Sequence, residues 1–174
     1  MQTRCTGGCF LLLIQQHING SGGFNRSWEE FKMGFNDSNG NFWLGNELLH
    51  QLTKDGRYKL RFDLRYRTTG DVWRYAVYSS FVVASEASKY LMHMAGYSGN
   101  WEDAFSSHNG AKFTTYDSDN DAHATLNCAD HMGGGFWWTA CGSCGVNTPL
   151  SSGFRWSTRS SGFNLLISRM WLTC

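Results

Sequence analysis

The chain has little charge and almost no imbalance of charge. Of 174 residues, 17% are Asp, Glu, Lys or Arg, with 15 basic against 14 acidic and a formal net charge of +1. No basic stripe stands out to neutralise a phosphate backbone, so nucleic acid is not an expected partner. Long apolar runs are missing too. Phe10-Leu11-Leu12-Leu13-Ile14 gives way at once to Gln15-Gln16-His17. That run is too short to span a bilayer and lacks the small-residue cleavage site of a secretion leader. It reads as a buried strand, with no membrane insertion. The absent leader implies either that the mature chain begins after a removed one or that the N-terminus is incomplete. Proline occurs once. No Pro-rich or acidic linker and no internal repeat divides the chain, so a single domain over residues 1–174 is expected. Neither a Gly-x-Ser-x-Gly elbow nor a His-Glu-x-x-His motif is present, which argues against an enzyme.

Aromatic residues are abundant at 16%, with eight Trp, beside twenty Gly. Six cysteines stand at 5, 9, 128, 141, 144 and 174. Cys141 and Cys144 have the spacing of half a zinc site, but no second pair or His cluster completes it. No βαβ unit frames them as a redox pair. Disulfides in an oxidising compartment fit better. Three glycosylation acceptor triplets, beginning at Asn19, Asn25 and Asn36, agree with that setting.

Local signals give the elements. Residues 10–18 read as a strand. Ser27 and Glu30 form a capping box for a short helix ended by Gly34. A second helix spans Glu47 to Thr53, with Asn46 as cap and Leu48, Leu49 and Leu52 buried. Tyr58 to Arg67 alternates as a half-buried strand, with Lys59, Arg61, Asp63 and Arg65 outward. Thr69-Gly70-Asp71 turns it into a strand from Trp73 to Ala84. Further strands are expected at Lys89–Ala95 and Leu165–Leu172. Most of residues 96–164 lacks a period, as in a loop region tied down by metal or disulfide.

Within that region Tyr116-Asp117-Ser118-Asp119-Asn120-Asp121 sets three carboxylates at alternate positions. Such a turn suits Ca²⁺, a hard cation that takes oxygen ligands. A solvated acidic turn is the plain alternative. It is not an EF-hand, because the sixth position is Ala122 rather than Gly and the twelfth is Cys128 rather than Glu.

The ordered set of motifs resembles the fibrinogen-like domain, the C-terminal module of fibrinogen chains, ficolins, tachylectins, tenascins and angiopoietins. The likeness runs from Ile18-Asn19-Gly20-Ser21 and Trp28-Glu29-Glu30-Phe31 through Phe42-Trp43-Leu44-Gly45-Asn46-Glu47 to Gly96-Tyr97-Ser98-Gly99. It continues in Ser107-His108-Asn109-Gly110, Asp117-Ser118-Asp119-Asn120-Asp121, Asn127-Cys128-Ala129, Trp137-Trp138, Cys141 and Trp156. The resemblance implies an α+β fold with a central antiparallel sheet, short helices and a loop-rich calcium and ligand region. The family's N-terminal subdomain is shortened here, with only Cys5 and Cys9 before the first strand.

The same resemblance pairs Cys128 with Cys141 and assigns Ca²⁺ to the side chains of Asp119 and Asp121, with carbonyls near His123 and Thr125. It implies a cis bond at Ala140–Cys141 and a ligand pocket beside the calcium loop. That pocket draws on Ala129, Asp130, His131, Met132, Phe136, Trp137, Ala140, Cys141, Gly142 and the segment 150–163. Met132, Gly142 and Leu150 replace the family's usual pocket residues. His131 with Arg155 or Arg159 could meet an anionic group such as a sialic acid carboxylate. His108 is expected to fix its turn and Trp138 to be structural. Cys144 and Cys174 look like additions, free to pair with each other, with Cys5 or Cys9, or between chains.

The function so implied is a secreted, calcium-braced lectin for sialylated or N-acetylated glycans in innate defence, with homo-oligomers supplying avidity. The rival is an extracellular protein-binding module without sugar binding.

Overall fold

The apolar run at the start becomes strand β1 (Leu11–Ile18), in a computed structural model that describes residues 11–67, 72–156 and 165–174. Helix α1 (Trp28–Met33), strands β2 (Phe35–Asn36) and β3 (Phe42–Trp43), and helix α2 (Asn46–Thr53) follow. Strands β4 (Lys59–Tyr66), β5 (Trp73–Val83) and β6 (Met92–Gly99) then form an antiparallel meander. The next stretch is mostly irregular. It holds helix α3 (Cys128–Met132) and a two-stranded ribbon of β7 (Cys144–Gly145) and β8 (Arg155–Trp156). Strand β9 (Leu165–Thr173) comes last, yet it lies in the middle of the seven-stranded sheet, whose order is β2-β3-β1-β9-β4-β5-β6. The α+β architecture is the expected one.

Several elements form for the reasons legible in the sequence. Ser27 Oγ accepts from Glu30 N–H, and the Glu30 carboxylate accepts from Ser27 N–H at 2.9 Å, closing the capping box of α1. Others differ. Asn46 does not cap α2. Its Oδ1 instead accepts from the Trp43 indole N–H at 3.0 Å, and Gly45 takes the cap position with no side-chain bond. A Cβ at Gly45 would lie 2.9 Å from the Met33 carbonyl, so the helix start is pressed against the end of α1. Leu48 is 47% exposed while Leu49 is buried, because residues one apart on a helix point about 100° apart. The strand expected from Lys89 begins only at Met92, since Lys89 and Tyr90 take left-handed φ of 57° and 47° after a short 3-10 turn. The expected turn at Thr69-Gly70-Asp71 lies outside the described residues.

The alternation in β4 divides the sheet into two unlike faces. Leu60, Phe62 and Leu64 point inward with Ala76, Tyr78, Met170 and Leu172. Against this inner face pack Phe105 and Trp156 from the irregular region, 4.9 and 4.6 Å from the Phe62 ring. A second aromatic group joins Phe31, Trp43, Phe113 and Trp137 with ring centroids 5.0–5.8 Å apart. Tilted and edge-on pairs of this kind add to the gain from burial itself.

A buried polar seam ties the loops to the central strands. Gln15 Nε2 reaches the Val146 carbonyl, Asn147 Oδ1 and Ser168 Oγ at 2.9–3.2 Å, and Asn147 Nδ2 donates to the Gly135 carbonyl at 2.9 Å. Because each of these groups has a partner, their burial costs little, and the seam fixes where the loop region sits.

Candidate functional site

Between Phe113 and Cys144 the backbone has almost no ladder, and side chains take over its hydrogen bonding. Asn127 caps α3, its Oδ1 accepting from Ala129 and Asp130 N–H at 2.9 and 3.1 Å. Its amide donates to the Thr115 and Tyr116 carbonyls at 3.0 and 3.2 Å. Asn120 Nδ2 reaches back to the Phe113 carbonyl at 3.0 Å. Asp117 accepts from Trp28 N–H at 2.9 Å, holding the turn against the start of α1. The side-chain amides of Asn120 and Asn127 and the main-chain N–H of Trp28 therefore hold this region in place.

In the loop expected to hold calcium the carboxylates already carry local hydrogen bonds. Asp121 Oδ1 accepts from His123 N–H and Oδ2 from Cys128 N–H, both at 2.7 Å, while Asp119 Oδ1 accepts from Asp121 N–H at 3.3 Å. Both carboxylates are thus turned onto one short loop, each oxygen retaining a lone pair. Among the described residues no three His, Cys, Asp or Glu side chains converge. Two side-chain carboxylates would have to be completed by carbonyls, such as those of His123 and Thr125, and by water. Calcium accepts that composition, so the donor set fits it.

The Cys128–Cys141 disulfide is present, with Cα atoms 5.0 Å apart. It closes the loop directly behind Asp121, whose carboxylate holds Cys128 N–H. The Ala140–Cys141 bond is trans, contrary to the expected cis bond, and the described residues contain no cis peptide. The chain turns there through left-handed φ values instead, 59° at Cys141 and 40° at Gly142. Beneath this turn lies His108, fully buried. Its Nδ1 donates to the Trp137 carbonyl at 2.8 Å, and its Nε2 accepts from Cys144 N–H at 3.4 Å. A carbonyl can only accept and an N–H only donate, so these partners select the neutral ring. Burial lowers the His108 pKa from 6.5 to about 4. A Cβ on Gly142 would come 2.2 Å from His108 Cε1, so glycine is required there by contact as well as by φ. His108 thus supports the Cys141–Gly142 turn, a different one from the Ser107–Gly110 turn in which the sequence places it.

The expected ligand residues separate into two groups. Asp130, His131 and Ala140 are exposed, and Cys141 and Gly142 are partly so. Met132, Phe136 and Trp137 are core residues at 7%, 0% and 0% exposure, and Ala129 lies beneath the surface with them. Trp138 is structural, donating to the Gly134 carbonyl at 2.9 Å. Arg159 lies outside the described residues, and Arg155 is partly buried in β8. Cys144 is a buried free thiol, its pKa pushed up by burial, while Cys174 is disulfide-bonded. These two therefore do not pair with each other.

A cleft of about 270 Å³ opens on the other side of Asp121, lined by Asn109, Lys112, Asn120, Asp121, Trp138 and Thr139 among others. Sequence reading missed it. The Asn109-Gly110 pair reads as a turn, and nothing in a linear pattern shows Thr139 crossing over to face it. No helix among the described residues is long and apolar enough to cross a membrane.

A family model for the C-terminal globular domain of fibrinogen beta and gamma chains matches residues 1–169. Techylectin-5A of Tachypleus tridentatus is 37% identical over 129 residues, which is 74% of this chain and 43% of that protein. The solved fibrinogen-like globe domain of human ANGPTL2 superposes with a TM-score of 0.84 at 33% identity, over 99% of this chain and 82% of that one. Lamprey fibrin D-dimer, solved with the peptide ligand Gly-His-Arg-Pro-amide, gives 0.81 at 28% identity, over 92% and 60%. The chain spans from 7% to 44% of the length of the first curated relatives it matches.

Proposed function

This chain belongs to the fibrinogen beta and gamma C-terminal domain family, a family of non-enzymatic binding modules, and on that premise we propose that it is an extracellular lectin. It takes N-acetylated or sialylated glycans at the rim formed by Asp130, His131, Ala140, Cys141 and Gly142. Calcium at Asp119 and Asp121 braces that rim. The observation that carries the reading is the hydrogen bond from Cys128 N–H to Asp121 Oδ2 at 2.7 Å. It joins a carboxylate of the calcium loop directly to the disulfide that closes the rim. A cation on Asp121 would neutralise the loop's charge and stiffen the segment whose far end, Cys141, turns at the surface.

Backbone N–H groups at such a turn suit an acetyl carbonyl, and His131 is an exposed side chain suited to a carboxylate. A shallow rim binds one sugar weakly, so homo-oligomers would supply useful affinity. The name of Techylectin-5A agrees with a lectin.

A second reading is a module for peptide or protein ligands. It is favoured by the burial of Met132, Phe136 and Trp137, which leaves none of these expected pocket side chains open to a sugar's acetyl methyl. The peptide in lamprey fibrin is a precedent within the fold.

A glycan array probed with calcium, with chelator, and with Asp121→Asn separates them. The lectin reading expects selective binding to N-acetylated or sialylated glycans, competed by free N-acetyl sugar and weakened by chelation and by the substitution. An empty array from folded protein would refute it and leave the protein-ligand reading. Binding indifferent to chelator and to Asp121→Asn would remove calcium from the account.

A further inference from the structure

The outer face of the sheet, opposite the loop region, carries an ordered lattice of cations and aromatic rings. Register sets three rows across four strands. Trp73, Arg65, Ile167 and Ile18 form one, Tyr75, Asp63, Arg169 and Gln16 the next, and Val77, Arg61, Trp171 and Leu13 the third. Lys59 extends the face at the end of β4. Two guanidiniums lie over rings, Arg61 over Tyr75 at 5.0 Å and Arg169 over Trp73 at 5.4 Å. Arg61 is also braced by Asp63 at 2.8 Å, and Arg169 Nε donates to Gln16 Oε1 at 2.8 Å. Trp73 and Tyr75 remain 40% and 37% exposed.

Charge is unevenly shared. Among the described residues Lys59, Arg61 and Arg169 share this face with one carboxylate, Asp63, a surplus of two on a chain of net +1. The rest of the chain is therefore net negative. The sequence hides this stripe because β9, which supplies Arg169, is about a hundred residues from β4.

We propose that this face binds a sulfated polysaccharide chain lying across the strands. Planar guanidiniums match sulfate oxygens in pairs, as they do carboxylate and phosphate. Same-face residues repeat roughly 6.8 Å along a strand and about 4.8 Å across strands. That grid offers rings between its charges. A sulfated sugar chain has the complementary order, with anionic groups on pyranose rings whose faces can lie against Trp73 and Tyr75. Duplex DNA carries a charge about every 1.7 Å of its axis and calls for a denser cation array than Lys59, Arg61 and Arg169 interrupted by Asp63. This surface is separate from the Cys141 rim, so the inference does not depend on the lectin reading.

The test is binding of the whole chain to immobilised heparin over a range of salt, with desulfated heparin and a DNA duplex of similar length as comparisons. Binding should fall steeply with salt. Lys59→Gln/Arg61→Gln/Arg169→Gln should weaken it at least about ten-fold and lower the salt slope by about two to three. A matched set, Lys54→Gln/Lys89→Gln/Lys112→Gln, should change it less than about two-fold. Trp73→Ser, at an exposed position, should weaken binding with the salt slope kept, which guards against a triple variant that fails to fold. Absence of binding at low salt, equal weakening by the matched set, or undiminished binding to desulfated heparin would each overturn the proposal. DNA bound as tightly through the same residues would overturn it too, in favour of an undiscriminating polyanion surface.

Discussion

Acidification should destabilise this domain through one buried ring, His108. Its native pKa is about 4, against 6.5 in an ordinary setting. Between those values the unfolded chain takes up a proton that the native state refuses, so stability falls as pH drops from 6.5 toward 4 and levels off below. Linkage gives about 2 kcal/mol lost by pH 5 and about 3 kcal/mol below pH 4. Against a total of about 5–15 kcal/mol that is a large share. With a urea m-value near 2 kcal/mol/M, the midpoint should fall by about 1 M between pH 7.5 and 5. The cause is geometric. Protonated Nε2 would point its hydrogen at Cys144 N–H, with no acceptor in reach and no room beneath Gly142. His108→Asn keeps an amide donor near the Trp137 carbonyl but cannot titrate. It should cost about 1–3 kcal/mol at pH 7.5 and remove most of the slope. His17, lowered by burial against the raising effect of its Val146 and Ser21 carbonyl partners, adds to the slope with the same sign. Glu30, bonded to Ser27 N–H, and Glu86, bonded to Lys32, titrate lower and affect only more acid conditions. A wild-type midpoint unchanged between pH 7.5 and 5 would refute the reasoning, as would a His108→Asn variant that keeps the full slope.

Two further outcomes follow from the same turn. Cys128→Ser/Cys141→Ser removes a closure across 13 residues and should lower stability by about 3 kcal/mol, read as a shift in the denaturant midpoint; a shift under about 0.5 kcal/mol would mean the hydrogen bonds of Asp121 and Asn127 hold the loop alone. Gly142→Ala drives a methyl into His108 and should cost about 2 kcal/mol. That loss should shrink in the His108→Asn background, which a double-mutant cycle in urea would reveal.

What the sequence disclosed depended on how local the cause was. The capping box of α1 and the alternation of β4 need only neighbouring residues, and both could be read directly. Motif order carried the fold and the Cys128–Cys141 pair. Causes that act across the fold stayed hidden. Asn46 resembles a cap until Trp43 claims its side chain. Leu48 resembles core until the helix is given an orientation. The positive sheet face exists only once β9 is placed beside β4, and the Asn109–Thr139 cleft only once two loops meet. The family resemblance places Phe136 and Trp137 in a pocket wall, yet the aromatic packing around Phe113 and Phe105 draws both into the core.

The central place of β9 also governs how this domain can be made. The strands it joins, β1 and β4, have both been synthesised by residue 66, yet β9 begins only at Leu165. Roughly 100 residues separate them, on the order of 5–20 s of translation. Throughout that interval β1 has no central partner and β4 presents an open hydrogen-bonding edge, with an apolar face still uncovered. The β4–β5–β6 meander can form on the ribosome; the whole sheet cannot. A nascent chain therefore has to be kept from pairing with its neighbours until its last strand emerges. A message truncated before residue 165 yields an aggregation-prone half-sheet, with no smaller working domain in its place.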